Sequence, residues 1–150
     1  MKFRFLLTGL LFFLIALPSV AEEPDYLALL ARESEIKAIA TVAQVYRMGQ
    51  KSDGTFTQVT FKRVYALTPF TPKSFVGGCK ILDSNWQKRI EGRVYFRPKR
   101  GQKVFVTIST NGGAITSLTL MNPELNHIVR EEPNRLSYSK GHATILPDDS

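Results

Sequence analysis

The chain of 150 residues holds one cysteine, Cys79, one tryptophan, Trp86, and two histidines, His127 and His142. A single cysteine permits no intramolecular disulfide, so a packed core must hold the fold unaided. Two histidines leave few carriers for proton transfer near neutral pH. The sequence has no Gly-x-Ser-x-Gly elbow, no His-Glu-x-x-His helix, no Cys-x-x-Cys pair and no Gly-x-x-x-x-Gly-Lys loop. These absences exclude the serine-hydrolase elbow, the zinc-protease helix, the dithiol redox pair and the nucleotide phosphate loop. No internal repeat or low-complexity stretch occurs. Long apolar runs are scarce too: the one from Phe5 to Leu17 falls well short of the roughly 20 residues a spanning helix needs.

That run follows Met1-Lys2-Phe3-Arg4 and precedes Pro18-Ser19-Val20-Ala21. A basic start, a short apolar centre and small residues before a cut form an export signal, with cleavage expected after Ala21. Residues 1–21 are then the signal peptide and residues 22–150 a single domain, with 143–150 a loose tail and no transmembrane anchor after cleavage. The expected location is periplasmic or secreted. Acidic residues are scarce between residues 36 and 121, which are strongly basic between acidic flanks, and the whole chain carries a formal charge of +7. A basic centre suits an anionic partner. For an exported chain this means an anionic glycan, a lipid headgroup or an acidic protein surface, with nucleic acid ranked behind them.

Hydrophobic residues make up 43% of the chain and charged residues 22%, a globular balance. Asp25 caps a short helix over Tyr26–Arg32. Ile, Val and Thr enrichment makes residues 36–47 a strand, and Asp53-Gly54 a turn. Thr55 to Leu67 reads as a long strand with Thr57, Val59 and Phe61 on one face; the apolar phase then slips, which places a bulge near Lys62-Arg63. Residues 68–90 form a long connection, of the kind that is functional or hides a short element. Arg93–Arg97 reads as a further strand. Alternation around Asn111-Gly112 predicts a hairpin closed by a type I′ turn. Asn122-Pro123-Glu124 starts a second helix, which Pro133 stops.

These elements describe a mainly β domain: a small antiparallel OB-like barrel of about five strands with a short helix near each end. Through Ile39–Val45, Val59–Tyr65 and Gly101–Val106 the chain resembles the netrin-like domains of tissue inhibitors of metalloproteinases and of exported bacterial proteins. Those inhibitors reach the protease metal through an N-terminal cysteine. The expected mature N-terminus here is Glu22, so that chemistry does not carry over.

Trp86, Arg93, Tyr95, Arg97, Arg100, Lys103 and Phe105 are the candidate ligand-binding residues. Arg93, Tyr95 and Arg97 share one face of the expected strand, and Lys103 and Phe105 share one face of the next. Aromatic rings stack on sugars or bases while cations pair with phosphate, sulfate or carboxylate. The alternative is that the N-terminal helix covers Tyr95 and Phe105. The functional expectation is an exported, non-catalytic binding or interaction domain without cofactor or metal. The alternative function is a small periplasmic enzyme using Cys79 with a histidine as nucleophile and base; the alternative role of Cys79 is burial as a small hydrophobe. Glu124, His127 and Glu131 fall on one helical stripe, opposite the apolar Leu125, Ile128 and Val129, and read as solvated surface rather than a metal site.

Overall fold

The computed structural model describes residues 25–51, 54–81 and 96–148. The expected signal peptide, Trp86, Arg93 and Tyr95 lie outside these residues. In chain order the elements are α1 (Tyr26–Glu33), β1 (Ile36–Lys51), β2 (Gly54–Ala66), β3 (Ser74–Ile81), β4 (Lys103–Ile108), β5 (Ile115–Leu120), α2 (Pro123–Glu131), a single 3₁₀ turn (Pro133–Arg135), β6 (Leu136–Ser139) and β7 (His142–Ile145). The fold is mainly β, as the composition of the strands predicts. Five antiparallel strands pair in the order β3-β2-β1-β4-β5, and β6 and β7 form a separate hairpin.

β1 is the central strand because it offers apolar side chains to both faces. Ala38, Ala40 and Val42 point inward with Val59 and Phe61 of β2, Phe75 of β3, and Val104, Val106 and Ile108 of β4. The rings of Phe61 and Phe75, paired across strands, stack with centroids 5.3 Å apart. Ile39 and Phe105 point the other way, into a second cluster with Leu125 and Val129 of α2 and Ala143 of β7. The expected phase slip in β2 is real: Ile39 pairs with Tyr65 and Ala40 with Arg63, leaving Val64 as the extra residue of a bulge.

Both helices begin as their sequences dictate. The Asp25 carboxylate accepts from Ala28 N at 3.0 Å and the Asn122 side chain from Leu125 N at 2.7 Å, with Pro123 in the first turn. Asp25 also accepts from Lys140 N at 2.9 Å, tying α1 to the β6–β7 turn. That bond, then the one from Ala28, holds its carboxyl below the usual range. The end of α1 is fixed to the sheet by buried hydroxyls. Ser34 Oγ donates to Leu30 O and lies 2.7 Å from Thr116 Oγ1, which continues to Thr107 and Ser117. Each buried hydroxyl therefore has a partner.

The long connection from residue 68 does hide an element, the strand β3. Three expectations change. The Asn111-Gly112 hairpin exists, but its connection runs from Ser109 to Ala114, and Gly112 alone has positive φ, 88°, where a type I′ turn needs two. Phe96 and Arg97 lie in no strand, and Phe96 is buried in the first core. Residues 143–145, expected in a loose tail, belong to β7, where Ala143 is buried.

The β4–β5 connection reaches across to β3, the opposite edge of the sheet. Asn111 Oδ1 accepts from Val76 N at 3.0 Å, Gly112 N donates to Val76 O at 2.8 Å and Gly78 N donates to Gly113 O at 2.9 Å. Gly78 and Ala114 form a parallel bridge. Gly77 is the close-approach residue: a Cβ there would stand 2.7 Å from Ile115 Cγ1 and 2.9 Å from Ile108 Cδ1.

The β2–β3 turn carries backbone strain. Phe70 has φ 64° and is 99% exposed, so an aromatic side chain sits in the left-handed region with no packing to offset it. Hydrogen bonds between Thr68 and Thr71, and from Lys37 N to Thr68 Oγ1, hold the turn in place. Phe70→Asn is expected to raise stability by about 0.5–1 kcal/mol, because asparagine tolerates this conformation. Urea denaturation checks it, and an unchanged or lower midpoint contradicts it.

Candidate functional site

No strand of the five-stranded sheet contains an aspartate or glutamate, whereas β1 to β4 hold Lys37, Arg47, Lys51, Lys62, Arg63, Lys80 and Lys103. Register decides which of these share a surface, since residues paired across strands point to the same face. Thr41 pairs with Lys62 on one side and Lys103 on the other, and Lys62 pairs with Ser74. Ser74, Lys62, Thr41 and Lys103 thus form one row across four strands, on the face opposite the Phe61–Phe75 core. Strand spacing puts the two lysine backbones about 10 Å apart.

Arg130 of α2 stands beside this row. Its guanidinium lies 4.8 Å from the centroid of Tyr65 and its Nε donates to Asn126 Oδ1 at 3.0 Å. Lys103, Asn122, Asn126 and Arg130 line one cleft between the sheet and α2. Lys62, Lys103 and Arg130 are exposed, and no carboxylate forms a salt bridge with them among the described residues. The pair around Tyr65 is a cation–π contact, which fixes a guanidinium without neutralising it.

The same outer face continues along β2 through Thr60, Gln58 and Phe56, with Gln44 and Tyr46 of β1 paired to Thr60 and Gln58. Tyr46 is 62% and Phe56 42% exposed. The Phe56 ring lies over Gly78, where a Cβ would approach its Cζ to 3.1 Å, so the glycine seats the ring close to the strand. This stretch of the face is therefore aromatic and neutral-polar with Lys80 of β3 beside Phe56, and the far end carries Lys62 and Lys103.

Of the residues expected from sequence, Lys103 is in the row. Arg97 is exposed but lines a different cleft, with Gln102, Leu118, Thr119, Leu120 and His142. Arg100 is exposed in the turn before β4, where Gly101 N and Gln102 O bond to the backbone of Val42. Phe105 is corrected. It does share a face with Lys103, but α2 and β7 cover that part of the face and its ring is fully buried with Ile39, Leu125 and Val129. The covering helix is the C-terminal one, not the N-terminal one. Lys62, Tyr46, Phe56 and Arg130 were missed. Alternation in Gln44-Val45-Tyr46 and Phe56–Lys62 signals their outward direction, but only strand register brings them together.

Cys79 points into the first core, and burial pushes its thiol up to about 11 from the ordinary 9.0. It is protonated at neutral pH, the opposite of an activated thiol nucleophile. His127 lies 3.5 Å from Glu132 on the exposed face of α2, and His142 Nδ1 lies 3.1 Å from Leu118 O. No group of acidic, histidine or cysteine side chains among the described residues is arranged to hold a metal.

The raised thiol pKa gives a stability prediction. The folded state favours the protonated form, so this contribution is complete below pH 9 and is lost as pH rises towards 11. Two pH units correspond to about 3 kcal/mol. Between pH 9 and 11 the protein is expected to lose that much more stability than Cys79→Ala. Parallel urea-denaturation curves across this range check it; equal losses in the two proteins contradict it.

No helix among the described residues is long and apolar enough to cross a membrane. Comparison of the chain with protein-family models, curated proteins and solved structures finds no match.

Proposed function

We propose that the chain is an exported, non-catalytic binding domain that holds an anionic ligand on the outer face of its five-stranded sheet. One observation carries the reading: Lys62, Lys103 and Arg130 converge on a surface whose strands contain no carboxylate. Uncompensated like charges are kept close where they meet a partner of opposite sign. The strand order β3-β2-β1-β4-β5, with β3 joined in parallel to the lead-in of β5 at Gly78 and Ala114, supports a small OB-type barrel resembling the netrin-like domains. Export rests on the segment Met1–Ala21.

The ligand group is a sulfate, phosphate or carboxylate, because lysines recognise these as charges and a fixed guanidinium adds directed hydrogen bonds. Retention on immobilised heparin tests the reading. Binding is expected at low salt and release well below 1 M salt, where screening shortens to about 3 Å. Passage through the column at low salt, with no retention on anionic vesicles either, overturns it.

A further inference from the structure

We infer that the ligand is an anionic polysaccharide lying along β2, with sugar rings over Tyr46 and Phe56 and charged groups at Lys62 and Lys103; this rests on the anion-binding reading above. The face is too long for one anion. Six residues of extended strand separate Phe56 from Lys62, about 20 Å at 3.4 Å per residue. Its two ends differ in chemistry, two rings beside Lys80 at one and Lys62 with Lys103 at the other, so a single ligand that uses both must be an extended chain.

The middle of the face selects among chains. Between the ends stand Gln44, Gln58 and Thr60, all neutral and each both donor and acceptor. Such groups match the hydroxyls of a sugar, which also donate and accept. A nucleic-acid backbone would place a phosphate in this stretch, where the strands offer no outward cation between the Lys62 row and Lys80, the partner of Phe56. Arg47 pairs with the buried Thr57 and so belongs to the inner face. Tyr46 and Phe56 lie on either side of Gln58: Tyr46 pairs with it on β1, and the Phe56 ring rests over Gly78, its partner on β3. Rings in that arrangement offer flat apolar surface to the C–H faces of two sugar units.

The experiment titrates the protein with heparin oligosaccharides from disaccharide to octasaccharide, and with an oligothymidylate of the octasaccharide's charge, by calorimetry. Affinity is expected to rise at least tenfold from disaccharide to octasaccharide and to favour the octasaccharide over the oligothymidylate. The double variant Tyr46→Ala, Phe56→Ala is expected to lose about tenfold for the octasaccharide at any salt, with disaccharide binding unchanged. Tyr46→Leu, Phe56→Leu removes the rings while keeping apolar bulk and serves if the alanine pair does not fold. A disaccharide as tight as the octasaccharide, an unaltered octasaccharide affinity in the ring variants, or preference for the oligothymidylate overturns the polysaccharide assignment. An unaltered affinity in Lys62→Glu, Lys103→Glu overturns instead the anion-binding reading beneath it.

Discussion

Gly77→Val is expected to destabilise the protein by about 3 kcal/mol, the largest loss from any single change of comparable size outside the aromatic core. The position has an ordinary backbone, so the cost is purely one of space. The first added carbon would already press on Ile115 and Ile108 at 2.7 and 2.9 Å, and valine adds two methyl groups beyond it. Because β3 is held on this side by bonds to Asn111, Gly112 and Gly113, it cannot simply swing away without losing them. The effect must therefore couple to the partners. Gly77→Ala is expected to cost about 2 kcal/mol alone and much less in an Ile115→Ala background, which removes the Cγ1 that the new Cβ would meet at 2.7 Å. Denaturation of the four proteins of this cycle checks the prediction, and additive losses contradict it.

The second large effect is on binding. Replacing Lys62 and Lys103 together by glutamate removes two attractions and adds two repulsions, each about 1 kcal/mol at an exposed site. The combined loss is about 2–4 kcal/mol, at least about 30-fold in affinity for heparin. The fold is expected to persist, since both side chains are exposed and neither ion-pairs with a described residue. In β2 and β4 the new carboxylates would even relieve a surface that lacks negative charge. Affinity and thermal melting measured on the same samples separate the two: lost binding with a retained melt is the expected result, and retained binding contradicts it.

Much of the fold was legible because its signals are local. Asp25 and Asn122 announce helix starts by chemistry confined to one turn, and the inward series Thr57, Val59, Phe61 reads directly as one face of a strand. The slip after Phe61 even located the bulge within a residue or two. β3 was not legible. Its inward positions are Phe75, Gly77 and Cys79, and glycine stands where a strand pattern needs a large apolar residue. That glycine answers to Ile108 and Ile115, which are remote in sequence, so no local window contains the reason for it.

The site shows the same division. Lys103 was found because its outward direction follows from the alternation of β4. Phe105 obeys the same alternation yet is buried, because α2 and β7 lie over one part of the outer face and leave the rest bare. Which part is covered depends on how α2 docks, and its apolar stripe of Leu125 and Val129 does not specify the site of docking. Lys62 and Lys103 are neighbours only through Thr41, a relation that pairing register alone creates.

Backbone amide shifts of isotope-labelled protein titrated with a heparin hexasaccharide test the placement of the ligand most directly. The largest shifts are predicted at Thr41, Gln58, Thr60, Lys62 and Lys103, the residues of the outer face, with smaller ones at Asn126 and Arg130 of α2. Shifts confined to Arg97–Arg100 and the β5 edge, with Thr60 and Lys62 unmoved, would contradict the assignment of this face.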